Sequence, residues 1–107
     1  MNDQDLQNHL FRMGEALELT LHGTKEFQNG NLEEALSAFE SSFEINPQSI
    51  PNSLYCLLCR WSMIYTLDIS EKANMNNPTV QAHLQDMLGK LEILKSTIEL
   101  TLSRYGK

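Results

Sequence analysis

At 107 residues, 41% of them apolar, the chain is long enough for one domain with a modest core and too apolar to be disordered throughout. Fourteen acids against eight bases give a net charge of −6, which argues against nucleic acid and against an anionic membrane surface, since both are bound through cations. No apolar run approaches the ~20 residues of a membrane span, and the start Met1-Asn2-Asp3-Gln4-Asp5 lacks the basic start and apolar core of a signal peptide, so a cytoplasmic protein is expected.

The first predicted element is a long helix over 3–28, capped by Asp3 or Asp5. Its apolar stripe, Leu6, Leu10, Met13, Leu17 and Leu21, runs at steps of four, three, four and four. Gly14 and Gly23 lie inside it, each costing ~1 kcal/mol against Ala, so both are expected where another helix comes close. Asn29-Gly30-Asn31 is a turn signal, because Gly tolerates positive φ. Asn31 can cap the next helix, with Glu34 completing a capping box. That second helix carries Leu32, Ala35, Leu36, Phe39, Phe43 and Ile45 nearly on one face, has Glu33 and Glu34 in its first turn, and stops at Asn46-Pro47.

A third helix is predicted from Ser49–Asn52 to about Met75, with Pro51 in its first turn. Leu54, Leu57, Leu58, Trp61, Ile64, Tyr65 and Leu67 make it the most apolar part of the chain. It should therefore be the most buried helix or else a partner surface. Asn76-Asn77-Pro78 breaks the pattern. The fourth helix runs from Pro78 to about Arg104, capped by Asn77, and would be ~40 Å long. Leu84, Met87, Leu91, Leu94, Ile98, Thr101 and Tyr105 form a heptad seam in it, widened by Leu88 and Leu102. The expectation is an all-α fold of four helices in two antiparallel hairpins, forming a single domain over 1–107.

Residues 16–49 resemble a tetratricopeptide (TPR) repeat over about a third of the chain, with the right unit length of roughly 34 residues. The family's small residue falls on Gly23, its first-helix aromatic on Phe27 and its turn glycine on Gly30. Its second-helix run is Leu32-Glu33-Glu34-Ala35-Leu36, followed by Phe39 and the closing Pro47. Leu19, Glu26 and Ser42 depart from the pattern, standing where Trp, an aromatic and Ala are usual. Residues 50–105 read as an elongated, degenerate second hairpin, with Ile64 where a turn glycine would fall. The resemblance implies a TPR-like fold and a groove that holds a segment of another protein. Carried over, the partner-binding positions are Leu17, Thr20, Leu21, Thr24, Phe27 and Gln28. The Lys and Asn of the family's carboxylate-clamp subclass are replaced here by Thr20 and Thr24, so an apolar helix or peptide is the implied ligand rather than an acidic chain end. The groove could equally be filled by the third helix or by the stretch before Ala16.

Catalytic constellations are lacking. Cys56-x-x-Cys59 has no strand before it and no further ligands to complete a zinc site, so both cysteines are expected in the core. His9, His22 and His83 are scattered and stand beside no nucleophile motif; His22 should be packed or half-exposed. Glu15, Glu18, Glu33, Glu34, Glu40 and Glu44 read as solvated helix faces, and there is no phosphate-binding glycine loop. The expectation is a protein that is not an enzyme and has no metal or cofactor: a small adaptor or chaperone. Small TPR-like chaperones of bacterial secretion systems are similar in size and plan. The alternative is a structural homodimer joined through the seam of residues 84–105.

Overall fold

The computed structural model describes residues 2–67 and 77–106. Among these there are four helices and no strand: α1 (Asp3–Gln28), α2 (Leu32–Ile45), α3 (Ile50–Tyr65) and α4 (Pro78–Tyr105). None is long and apolar enough to cross a membrane. Each helix packs on the next, α1 on α2, α2 on α3 and α3 on α4, and successive neighbours run antiparallel. In the first pair, Ser42 meets Ala16, Phe39 meets Gly23 and Glu34 meets His22. Cross-links between α2 and α3 follow the same order, with Ser42 to Asn52, Phe39 to Tyr55 and Leu32 to Cys59.

The boundaries follow from local chemistry, with some changes of actor. Asn2, rather than Asp3 or Asp5, caps α1 by accepting from Asp5 N at 2.8 Å. Gly30 turns the chain at φ +81°. Asn31 makes no capping bond to α2; its amide donates instead to Glu26 Oε2 at 2.7 Å, and Glu34 is engaged by His22 at 3.3 Å. The anticipated capping box is therefore replaced by bonds back to α1. Ser49 caps α3, with Pro51 in the first turn, and Asn77 caps α4 ahead of Pro78. α3 ends at Tyr65, where Thr66 closes it, well short of Met75; the rest of that expected extension lies outside the described residues.

The core is small and centred on α2. Ala35, Phe39, Cys56 and Cys59 are sealed, with Phe27, Leu32, Leu36, Phe43 and Tyr55 packed around them. The Phe39 ring stacks on Tyr55 with centroids 5.0 Å apart and planes 6° from parallel. On the α1 side, a Cβ on Gly23 would lie 2.5 Å from Phe39 Cε1, so glycine sets how closely α1 and α2 approach. Gly14 has nothing within 4 Å of the same position, and the close contact expected there is absent.

Below Phe39 the junction is polar. Thr20 Oγ1 lies 2.7 Å from Ser42 Oγ and 2.9 Å from Asn52 Oδ1, and Ser42 Oγ donates to Ala16 O at 2.7 Å. Asn52 is 5% exposed and Ser42 fully buried. These partners explain why Ser stands at 42, where the resembled family has Ala: a buried hydroxyl is tolerated when hydrogen-bonded. They also draw Thr20 into the interior.

The two glycines give opposite expectations. Gly23→Ala should lower the unfolding free energy by ~1–3 kcal/mol through overpacking against Phe39. Gly14→Ala should raise it by up to ~1 kcal/mol through helix propensity. Urea titrations of the two variants check both signs.

Candidate functional site: an open apolar groove between α1 and α3

α3 inverts the usual helix. Its buried side chains are Asn52, Ser53, Cys56, Cys59 and Ile64, whereas Leu54, Leu58, Trp61 and Tyr65 are 49–69% exposed. The most apolar helix thus carries more buried residues than any other, yet turns its largest side chains outward. Small side chains are needed on its inner face because Phe39 and Phe43 already occupy the space from α2. The spacing of 54, 58, 61 and 65 puts the large residues on one outward stripe.

This stripe flanks a hollow of about 180 Å³, walled by Thr24, Phe27 and Gln28 from α1 and by Tyr55 and Leu58 from α3, with Phe39 as its floor. Three of the six groove positions expected from sequence thus come together there. Leu17 and Thr20 line a separate hollow of about 230 Å³, near the turn between α2 and α3, together with Met13, Pro51 and Asn52. Leu21 stands between the two hollows, 59% exposed. Thr20 contributes less than expected to the groove, since its hydroxyl is spent on Ala16, Ser42 and Asn52. Thr24 likewise donates to Leu21 O at 2.8 Å. The wall is consequently more apolar than its threonines suggest. Neither α3 nor the stretch before Ala16 covers it: Leu17, Leu21, Leu54 and Leu58 all face out.

An ion cluster on the far side, which sequence reasoning missed, joins α2, α3 and α4. Lys90 Nζ lies 2.8 Å from Glu40 Oε2 and 3.0 Å from Asp86 Oδ2, and 4.9 Å from the centre of the Phe43 ring. Arg60 reaches Glu40 at 3.3 Å and donates to His83 Nδ1 at 3.1 Å. Arg60 Nε, 2.8 Å from Asp86 Oδ2, is turned off the hydrogen-bond direction, so that contact is Coulombic. Glu40, expected on a solvated face, belongs to this cluster. Burial alone would pull Lys90 down, but the bonds to Glu40 and Asp86 outweigh it and hold the ammonium above its usual range. Burial and the Arg60 charge push His83 below its usual value, and the Arg60 bond needs a neutral Nδ1 acceptor. The signal for this cluster was Arg60, the lone charged residue in the apolar α3.

The cysteines are in the core, as expected, and fully buried. Burial pushes the Cys56 thiol up to about 12 and the Cys59 thiol up to about 11. Cys59 Sγ donates to Leu32 O at 3.3 Å. Neither is a thiolate near neutral pH, so neither can act as a nucleophile in the folded chain. His22 is half-exposed beside Glu34. No cluster of three or more His, Cys, Asp or Glu among the described residues could hold a metal ion.

The anticipated heptad seam of α4 is split. Leu94 turns inward at 8% exposure and Met87 is half-buried. Leu91, Ile98 and Tyr105 of that seam stay exposed and form an outward stripe with Leu88, Lys95 and Leu102. Comparison of the chain with models of protein families, curated proteins and solved structures finds no match.

Two outcomes follow. A thiol reagent should leave Cys56 and Cys59 unmodified in the native protein and label both in denaturant; rapid native labelling would contradict the burial. His83 binds its proton more weakly folded than unfolded, so its contribution to stability is present above about pH 6.5 and lost as pH falls through the lowered folded value. Chemical denaturation across that range should show a smaller decline in His83→Gln than in the wild type.

Proposed function

We propose that this chain is a TPR-like protein-interaction module, a small adaptor or chaperone that holds an apolar helix or extended segment of another protein between α1 and α3. The observation that carries this reading is the outward stripe of α3. Leu54, Leu58 and Trp61 stand outward on α3 and Leu17 and Leu21 stand outward on α1, all five about half exposed, and between the two helices Leu58 borders a hollow floored by Phe39. A small soluble domain rarely leaves so contiguous an apolar patch bare unless something docks there. The hydroxyls on the α1 wall are already bonded within the chain, so the groove offers contact area with few free polar groups, which suits an apolar ligand. The hollows, at about 180 and 230 Å³, fall below the ~300–1,000 Å³ of sites that enclose small molecules. They fit individual side chains of a larger partner. The cysteines, sealed and protonated, supply no chemistry here.

The test is crosslinking in the native cell. A photoreactive residue at Leu58 should capture a single protein in stoichiometric yield, and one at Glu33, on the opposite side, should not. Leu21→Asp and Leu58→Asp should each abolish that capture from a distal crosslinker while leaving the thermal midpoint nearly unchanged, because both side chains are solvent-facing. Failure to capture any partner from the groove, or capture indifferent to both substitutions, would overturn the reading.

A further inference from the structure

The molecule is forked at one end. α1 and α3 run one way, α2 and α4 the other, so the start of α1 and the end of α4 project past the same edge of the body. That edge is the turn between α2 and α3, which lies beside Met13–Thr20 of α1 and Ile93–Leu100 of α4. Residues 3–15 of α1 and 98–105 of α4 are exposed throughout. The accessible surface is 7448 Å² for a 12.2 kDa chain, against about 6,100 Å² for a compact monomer of that mass. The excess exceeds the ~800 Å² that each partner buries in a standard interface.

The two arms carry one matching pattern. Leu6, Leu10 and Met13 step by four and three, as do Ile98, Leu102 and Tyr105, and all six are exposed. One heptad position before Leu6 stands Asp3; at the equivalent place before Ile98 stands Lys95, 78% exposed. We infer that two copies of this chain meet fork to fork about a two-fold axis, each α1 arm pairing with the other copy's α4 arm as a short parallel coiled coil.

The direction follows from the topology. α1 runs toward the body and α4 away from it, so opposed forks set α1 of one copy parallel to α4 of its partner. In that register Leu6 faces Ile98, Leu10 faces Leu102, Met13 faces Tyr105, and the single polar layer is the opposite-charge pair Asp3 and Lys95. Self-pairing of the α1 arms is disfavoured by charge, because antiparallel α1 arms centred on Leu10 bring Asp5 toward Glu15. Both contacts are made once by each copy, so the assembly closes at two. The pairing ends at Met13 and leaves Thr24, Phe27 and Leu58 uncovered; it stands apart from the groove and does not rest on the groove's having a ligand.

Sedimentation equilibrium of the full chain from low to high micromolar concentration tests this. The expected species is a dimer of 24.4 kDa, twice 12.2 kDa. Leu10→Asp and Leu102→Asp should each weaken it by roughly a hundredfold with unchanged helix content, since both residues are exposed in the single chain. Asp3→Lys and Lys95→Asp should each weaken it by roughly tenfold, and the double exchange should restore it to near the wild-type constant. A monomer at every concentration, leaving the arms to a different protein, overturns the proposal. So do a dimer indifferent to both Asp substitutions, open-ended association, and a double exchange that restores nothing.

Discussion

Three helices meet on one ring. Phe39 stands against the bare α-carbon of Gly23 on α1 and stacks on Tyr55 of α3, while its own backbone belongs to α2. Because the closest approach of α1 is set by a missing side chain, the first hairpin packs tightly, and below Phe39 its contacts are polar, with Thr20 and Ser42 bonded to each other and Thr20 also to Asn52 of α3. The core therefore stays narrow. On α3, Leu54, Leu58 and Trp61 are displaced outward, and Leu58 borders the hollow above Phe39.

The fourth helix is held by different physics. Its inner face offers Val80, His83, Lys90 and Leu94, and the contacts with α2 and α3 run largely through Glu40, Arg60, Asp86 and Lys90. Partly buried pairs of this kind offset their desolvation when each member has more than one partner, and here Lys90 and Arg60 each contact two carboxylates. The arrangement fixes where α4 sits and how far it overhangs, and so determines the spacing between the two projecting arms.

Much of the fold was legible in the sequence. Gly30, Pro47, Pro51 and Pro78 are residues whose backbone limits act locally, and they mark the helix ends. The span of α1 and the burial of both cysteines followed from periodicity and composition. What periodicity could not tell was which way a striped helix faces. On α3 the Leu and Trp stripe and the Asn, Ser and Cys stripe have equal period, and the choice was made by the volume that Phe39 and Phe43 already fill. The same ambiguity split the α4 seam, with Leu94 turned inward and Leu91, Ile98 and Tyr105 left outward. The cluster of Glu40, Arg60, His83, Asp86 and Lys90 joins positions far apart in the chain, with no spacing rule to announce it. Of the groove, Thr24, Phe27 and Gln28 were found; Leu58 and Tyr55 were not, because their side of the groove lies in a segment with weaker resemblance to the repeat.

The outward stripe on α3 has a calorimetric consequence. Heat capacity changes in proportion to the apolar area that leaves or enters water. A chain that keeps Leu54, Leu58, Trp61 and Tyr65 wet when folded exposes comparatively little new apolar surface on melting, so its own stability curve is shallow. Covering that stripe gives a strongly negative heat-capacity change on association. A partner covering that stripe would therefore carry more of the curvature of stability with temperature than the lone chain does.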